Sequence, residues 1–184
     1  MGSVLKKEKT MFIELERQVV PFSVGEAEFY LRFDNRALLE IEKAGFDIFQ
    51  FDAAHLTAKA AKGFLKNGIR CWYEESGKHS FEQTELDETA GKIIRLCGPE
   101  QISGIIAAGM LQALPEPVIG AKPPKDTDSN TDFSRLFGFF CDIMGKSEEL
   151  FWELTLREVL QRWDAYAIFM GYKKAPVEVR KYDD

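Results

Sequence analysis

Two helix-start signals lie only eight residues apart near the end of the chain, at Ser147 and at Thr155. Ser147 is a favourable N-cap, and Glu148 and Glu149 place negative charge at the positive end of the helix dipole. Thr155 and Glu158 have the spacing of a capping box, which begins a second helix. Since the second helix begins so soon after the first, the sequence predicts a bent pair of helices.

Apolar residues surround this bend. Leu154 and Val159 have the spacing of a hydrophobic staple, which fixes the angle at which the chain enters the second helix. Phe151 and Trp152 lie just before the bend, where large aromatic side chains either seal a small core or anchor a partner. The segment contains no plausible catalytic group, so it points to binding and not to chemistry.

Composition limits the class of protein. With 184 residues and 45% hydrophobic content, the chain can form one domain, or one domain with a smaller appendage. The formal net charge of -6 argues against a broad nucleic-acid surface. No run of 18 apolar residues is present, so no membrane span is predicted. Cys71, Cys97 and Cys141 are widely spaced within apolar helical patterns, which indicates reduced, buried thiols in a cytoplasmic protein.

Changes in composition divide the chain into five parts. The predicted parts are an arm (1–18), a hairpin-plus-helices domain (19–114), a Pro-rich linker (115–132), an aromatic-rich helical module (133–172) and a tail (173–184). The predicted fold class is therefore α+β and mainly α-helical, with an N-terminal β-hairpin packed on about four helices, then a linker and a small helical module.

The hairpin prediction rests on residues 19–24 and 28–33, which are rich in Val, Phe, Tyr and Leu and are separated by Gly25, Glu26 and Ala27. Apolar and polar residues alternate in the second run. We therefore expect Phe29, Leu31 and Phe33 on one face, and Glu28, Tyr30 and Arg32 on the other.

Four helices are expected to cover the hairpin, because an isolated pair of strands is only marginally stable in water. Their start signals are Asn35, Thr57, Thr84 with Asp87, and Gly98 followed by Pro99. Residues at three- and four-residue intervals after each start give an apolar face. Between the first two helices lies an apolar connector, formed by Phe46, Ile48, Phe49 and Phe51.

The C-terminal module contains ten aromatic residues within residues 133–172. A unit this small cannot bury all of them, so we expect it to dock on the first domain, on another copy or on a partner, with some apolar surface left over. At helical spacing such residues also form core, and the sequence leaves both interpretations open. The candidate partner-binding residues are Phe151, Trp152, Leu154, Trp163 and Tyr166.

Catalytic and metal-binding patterns find no support. His55 and His79 are 24 positions apart, with no nearby Cys and no convincing carboxylate partner, and are interpreted as surface or helix-border histidines. The sequence Gly145-Lys146-Ser147 resembles the end of a phosphate loop, but Phe140 occupies the position of the required earlier glycine, so it is interpreted as a helix stop and start.

An acidic cluster is formed by Glu82, Glu85, Asp87 and Glu88, which lack a calcium-loop pattern and are interpreted as a solvated helix entry. No nucleophile elbow occurs either. We therefore predict no enzyme activity, no metal and no cofactor.

Two segments together resemble a known family. Residues 147–158, Ser-x-x-x-Phe-Trp-x-Leu-Thr-x-x-Glu, are similar to the Phe-Trp-x-Leu/Met-Thr-x-x-Glu segment in the C-terminal part of phage tail assembly chaperones. Residues 30–34 (Tyr-Leu-Arg-Phe-Asp), 37–42 (Ala-Leu-Leu-Glu-Ile-Glu) and 46–48 (Phe-Asp-Ile) resemble the opening of such chaperones from phages with long, non-contractile tails. The resemblance covers most of residues 19–172.

This resemblance implies a non-catalytic phage or prophage protein of the host cytoplasm that is absent from the mature virion. The first domain would hold the tape measure protein or other copies of the chain, and the second would recruit tail tube protein. In the family the second half is often appended by a ribosomal frameshift, so this chain resembles the fused form, with a single reading frame as the alternative.

Other classes of function stay open at this point. The main alternative is a small cytosolic adaptor or regulatory domain that binds a bacterial partner through the same aromatic surface. An enzyme with an unrecognised site is a third hypothesis, and it would require that His55 or His79 be essential for turnover. A homo-oligomer is expected from the resemblance, whereas nucleic-acid and membrane partners are not expected.

Overall fold

The computed structural model describes residues 19–49, 51–76, 82–115 and 133–174. Within these ranges the chain forms a two-stranded antiparallel hairpin and seven α-helices, so the predicted α+β, mainly helical class is confirmed. The predicted arm, linker residues 116–132, tail residues 175–184 and His79 lie outside the described residues. The division into domains stays a prediction.

The helices and strands have the following bounds: β1 Val20–Val24, β2 Ala27–Leu31, α1 Asn35–Lys43, α2 Ala58–Ser76, α3 Gln83–Leu96, α4 Pro99–Ala113, α5 Phe133–Gly138, α6 Glu148–Glu153 and α7 Leu156–Phe169. A 3-10 turn at Ala53–His55 precedes α2, and a π-helical turn at Phe139–Ile143 follows α5. Neither of these two turns was expected from the sequence.

The hairpin is closed by two residues, Gly25 and Glu26, and not by the three expected. Gly25 has a φ of 62°, a conformation that glycine adopts without steric cost and that tight hairpin turns require. Phe22 pairs with Phe29 across the strands, and their rings stack with centroids 5.5 Å apart. The turn therefore fixes a register that places two aromatic rings side by side.

The burial of Arg32 contradicts its predicted place on the polar face of the second strand. Leu31 and Phe33 are buried as expected, but Arg32 between them is only 2% exposed. The strand ends at Leu31, so the alternation of faces no longer applies to Arg32. Its backbone N–H donates to the carbonyl of Gly68 in α2, at an N to O distance of 3.2 Å, which holds this segment against the helix.

The core is built around the close approach of β2 to α2 and α4. A Cβ atom placed on Gly68 would lie 2.5 Å from Leu31 Cδ1, and one placed on Gly109 would lie 2.8 Å from Phe33 Cε2. Real Cβ atoms do not come this close to other heavy atoms. The two glycines therefore let both helices pack directly on the end of the hairpin.

The N-cap of α1 is Asp34, and not Asn35 as predicted. Asp34 Oδ1 accepts a hydrogen bond from the backbone N–H of Ala37 at 2.6 Å. Burial raises the pKa of the Asp34 carboxyl above its ordinary value, and the hydrogen bonds from Ala37 and from the Cys71 thiol oppose this rise. Asn35 is the first residue of the helix, and its side chain donates a hydrogen bond to a residue of α6.

Of the other three predicted helix starts in the first domain, two are confirmed and one is wrong. Thr57 Oγ1 accepts a hydrogen bond from the N–H of Ala60 at 3.2 Å, and Pro99 occupies the first turn of α4, so both of these signals are confirmed. Thr84 is not a cap, because α3 begins one residue earlier and Glu82 occupies the N-cap position without a side-chain cap bond. A threonine and an acidic residue at this spacing were not sufficient to fix the boundary.

The bent helix pair forms as predicted. Ser147 Oγ accepts from the N–H of Leu150, and Thr155 and Glu158 form a complete capping box. Leu154 and Val159, the two residues of the expected staple, are both buried. The corner between α6 and α7 is therefore set by its own local sequence.

This corner docks on the segment that joins β2 to α1. The Asn35 side chain donates from Nδ2 to the carbonyl of Phe151, and its backbone N–H donates to the carbonyl of Leu154, both at 2.8 Å. Two of the orphan carbonyls at the end of α6 are thus satisfied by the first residue of α1. Of the three docking modes that the sequence left open, the structure has the module packed on the first part of the chain.

Arg32 completes this contact. Its Nη2 donates to the carbonyl of Glu153 at 3.2 Å and to Oε2 of Glu158 at 3.0 Å. Glu158 Oε2 also accepts from the N–H of Thr155, at 2.7 Å. The same carboxylate therefore caps α7 and pairs with the buried guanidinium. We call the hydrogen bonds of Arg32 and Asn35 to residues 151–158 the polar junction.

We predict that Gly68→Ala and Gly109→Ala each lower the free energy of unfolding by about 1 to 3 kcal/mol, because the added methyl group overpacks the core. Gly104→Ala is the matched control. It lies in α4 with nothing within 4 Å of its Cβ, so it should stabilise by up to about 1 kcal/mol through helix propensity. Urea denaturation of the three variants measures these effects, and equal values for Gly109 and Gly104 would contradict the close approach.

A second prediction concerns the polar junction. Glu158→Gln keeps a residue type that suits the capping box but removes the negative charge that lies 3.0 Å from Arg32 Nη2, so it should destabilise by about 1.5 to 3 kcal/mol. In a cycle with Arg32→Met, the two changes should show a coupling of about 1 kcal/mol or more. The exposed Glu149→Gln serves as the charge control, and purely additive effects would show that the pair is not coupled.

Candidate partner-binding surface

An apolar groove with a volume of about 460 Å³ lies between the π-helical turn and α7. We call it the aromatic groove. It is lined by Phe49, Phe139, Phe140, Met144, Leu160 and Trp163, together with apolar neighbours, and Arg135 is its charged lining residue. Ile143, in the same turn, is 52% exposed. An apolar cleft of this kind is typical of a protein-binding or ligand-binding surface.

The π-helical turn sets one wall of this groove. The N–H of Met144 donates to the carbonyl of Phe139, five residues earlier, at 3.1 Å. Such a turn holds one residue more than an α-helical turn, so the residues after it are displaced around the helix axis. Phe139 packs edge-on against Trp163 of α7, with ring centroids 4.6 Å apart. This pair closes the groove at its aromatic end.

Phe49 comes from the first part of the chain and joins the groove from the apolar connector. Its side chain is 50% exposed, and its N–H donates to Oδ1 of Asp47 at 2.9 Å, which fixes the local turn. Phe49 also lines a second groove of about 510 Å³, which we call the loop groove. The loop groove is lined by Ile48, Phe49, Phe51, Met110, Leu111 and Leu114, with further neighbours.

Of the five predicted partner-binding residues, Trp163 lines the aromatic groove and Tyr166 packs on Trp163, outside the groove lining. Trp163 is half-buried. Tyr166 is also half-buried, and its ring centroid lies 6.0 Å from that of Trp163. These two residues lie at the surface where a partner can reach them, and their role in binding stays a prediction.

The other three predicted residues have different positions. Phe151 is 0% exposed and Leu154 is 5% exposed, so in this structure both stabilise the core and offer no surface to a partner. Phe151 was named an anchor because large aromatic residues just before the bend can either seal a core or anchor a partner. In the structure it faces Phe137 and Phe140, whose ring centroids lie 5.4 and 5.7 Å away. Trp152 is half-buried and stacks on Phe137 at 5.9 Å, outside the lining of the aromatic groove.

The expectation that His55 lacks a carboxylate partner is wrong, but its position does not indicate a catalytic site. His55 lies on the exposed 3-10 turn, and its Nδ1 is 2.6 Å from Oδ2 of Asp52, so it does have a carboxylate partner. The hydrogen bond with His55, followed by that from the N–H of Ala54, lowers the pKa of Asp52. The pair caps and closes a surface turn, and no cavity described here is lined by His55.

The acidic cluster and the glycine-lysine-serine segment have structural positions. Asp87 lies between Lys62 and Lys66, at 3.6 and 3.4 Å, and so links α3 to α2. Gly145 has a φ of 63° and ends the helical segment before Ser147, as the helix-stop interpretation predicted. Among the described residues, no group of three or more His, Cys, Asp or Glu side chains is placed to hold a metal ion.

The three cysteines are free thiols. Cys71 and Cys97 are buried as expected, but Cys141, in the π-helical turn, is half-buried. Burial raises the pKa of both Cys97 and Cys141, and the neighbouring carboxylate of Asp142 adds to the rise at Cys141. These surroundings disfavour the thiolate form. In the part of the chain that the structure describes, no helix is both long and apolar enough to cross a bilayer.

Comparisons with known proteins give no match: no family model, no curated protein and no solved structure matches this chain.

Sequence reasoning missed two contributors to the aromatic groove. Phe139 was counted among the ten aromatic residues of the module but was not singled out, because helical spacing in residues 133–144 assumes an uninterrupted α-helix and a π-helical turn occurs there. Phe49 was assigned only to a connector. The available signal was the density of aromatic residues at 46–51, since a connector with three phenylalanines needs apolar surface to cover it.

We predict that Phe151→Ala destabilises the fold by about 3 to 5 kcal/mol, because it empties a fully buried aromatic site. Phe49→Ala removes a half-exposed ring from the groove rim and should change stability by much less, within about 1 kcal/mol. Thermal and urea unfolding of the two variants make the comparison. If the two losses were similar, Phe49 would belong to the core and not to an accessible surface.

Proposed function

We propose that this protein is a non-catalytic phage or prophage tail assembly chaperone of the host cytoplasm. The observation that carries the proposal is the aromatic groove, which is built mainly from the block of the chain that bears the Phe-Trp-x-Leu-Thr-x-x-Glu segment. In this proposal the groove recruits tail tube protein, and the first domain binds the tape measure protein. The chaperone leaves before the virion is complete.

The chemistry of the described residues supports a binding role. The groove offers aromatic and aliphatic side chains with one charged lining residue, a composition that suits an apolar protein segment better than a polar substrate. Trp163 and Phe139 are held against each other before any partner arrives, and such preorganised aromatic pairs are frequent binding hot spots. One chain with two binding surfaces raises the local concentration of one client near the other.

The proposal is tested by co-expression of the tagged chain with its genomic neighbours, including any long helical open reading frame, followed by affinity capture and mass spectrometry. We expect both a tail tube protein and the long helical protein to be recovered. Trp163→Ala should lose most of the tail tube protein and keep the long helical protein, because only the groove is altered.

Leu96→Ser is the control for this capture. Leu96 is a 62% exposed leucine at the end of α3, outside the lining of either named groove, so its replacement should leave both partners bound. Equal loss of tail tube protein from both variants would contradict the role of the groove. Recovery of an unrelated regulator in place of both neighbours would favour the adaptor hypothesis.

A further inference from the structure

The loop groove is an apolar surface with a positive charge in its lining. Leu111, on its α4 side, is 69% exposed, so part of the hydrophobic lining faces solvent. The charged lining residue is Arg157, whose Nε donates to the carbonyl of Leu114 at 2.8 Å and whose Nη2 donates to the carbonyl of Leu111. These two carbonyls fix the guanidinium but carry no net charge, so they do not neutralise it. The groove therefore suits an apolar occupant that carries a carboxylate.

The chain turns back beside α7 after this helix ends. Gly171 has a φ of 75°, and the N–H groups of Tyr172 and Lys173 both donate to the carbonyl of Ala167, at 2.8 and 3.1 Å. This glycine-closed turn brings the residues after the helix back beside its last turn. Lys173 Nζ also lies 2.9 Å from Oδ1 of Asp164. The chain is thereby tied to the side of α7 that carries Asp164.

The same side of α7 leads to the loop groove. Arg157 and Asp164 are seven positions apart, about two helical turns, so they lie on one face of α7 and about 10 Å apart along its axis. An extended chain advances about 3.3 Å per residue, so about three residues beyond Lys173 it can reach the level of Arg157. The ten residues of the predicted tail, 175–184, are long enough to cover this distance and to continue along the groove.

The composition of the tail fits the chemistry of the loop groove. Residues 175–184 lie outside the described residues, and their sequence is Ala-Pro-Val-Glu-Val-Arg-Lys-Tyr-Asp-Asp. The proline at 176 disfavours a continued helix, and the alternation of Val177, Glu178 and Val179 is typical of an extended segment. By chain length these three residues come level with Arg157. The tail can therefore offer two valines to the apolar lining and a carboxylate to the guanidinium.

We propose that the loop groove is the docking site of the chain's own C-terminal tail, with Val177 and Val179 against the apolar lining and Glu178 beside Arg157. The contact lies within one chain, so it does not depend on protein concentration. It also does not depend on the identity of any client. Phe49 lines both named grooves, so the docked tail covers a side chain that the aromatic groove also uses. The tail then competes with a client for Phe49, a consequence that rests on the proposed function.

Photo-crosslinking of the full chain tests the contact. Leu111 is replaced by p-benzoylphenylalanine, the protein is irradiated, and mass spectrometry identifies the peptides joined to position 111. We expect crosslinks to residues 175–184, with a yield that dilution leaves unchanged. The same photoreactive residue in place of Leu96 is the control, because Leu96 is 62% exposed and outside the lining of both named grooves, so it should give no crosslink to the tail.

An equimolar mixture of 15N-labelled and unlabelled chains identifies the source of the tail. Docking within one chain joins two peptides of the same isotope content, whereas docking between copies also gives mixed pairs. Val177→Asp combined with Val179→Asp should lower the crosslink yield by about tenfold or more, because both apolar contacts are lost. Lys181→Gln is the matched tail control. It changes one charge beyond the docked valines, so the yield should stay within about twofold.

Three results would overturn the proposal: no crosslink from position 111 to the tail, a statistical share of mixed isotope pairs, or a yield that the double valine variant leaves unchanged. Mixed pairs would assign the groove to the tail of a second copy. Crosslinks within one chain from a protein that captures neither client would support the docking and count against the proposed function alone.

Discussion

A guanidinium group that is 2% exposed needs partners, because removing its charge from water costs several kcal/mol unless hydrogen bonds and an opposite charge replace the solvent. Arg32 finds two of them in residues far along the chain, at the carbonyl of Glu153 and the carboxylate of Glu158. The hydrogen bonds that the buried guanidinium requires therefore help to determine where the C-terminal helices pack on the first part of the chain. Apolar contact alone would accept many orientations of the α6–α7 corner, whereas directed hydrogen bonds accept few.

The junction also explains why the end of α6 can be buried. A helix leaves its last carbonyls without partners, and burying them unpaired is costly. Here Asn35 and Arg32 supply donors to the carbonyls of Phe151, Glu153 and Leu154. Glu158 serves both the cap of α7 and the pair with Arg32, so the local bend and the tertiary contact share one carboxylate. Local sequence and long-range packing thus reinforce each other at one point.

Much of the fold follows from local sequence signals, and the exceptions have physical causes. The hairpin, the starts of α2 and α4 and the bent pair α6–α7 could be predicted because turn glycines, Thr57, Pro99 and the capping box act on neighbouring backbone groups. Arg32 could not be placed, since its burial depends on a partner 126 positions away. The π-helical turn could not be predicted either, because it departs from the α-helical period on which the interpretation of residues 133–144 depends.

The candidate surface was only partly predictable, for a related reason. Sequence shows that the C-terminal block has more aromatic residues than it can cover, but the choice between Phe151 inside and Trp163 outside depends on which face the junction turns towards the core. With the corner fixed, Phe151 of α6 faces Phe137 and Phe140, and Trp163 is left at the surface beside Phe139. The polar contact therefore does more than hold two parts of the chain together. By fixing the orientation of α7, it determines which aromatic rings become core and which are left for a partner.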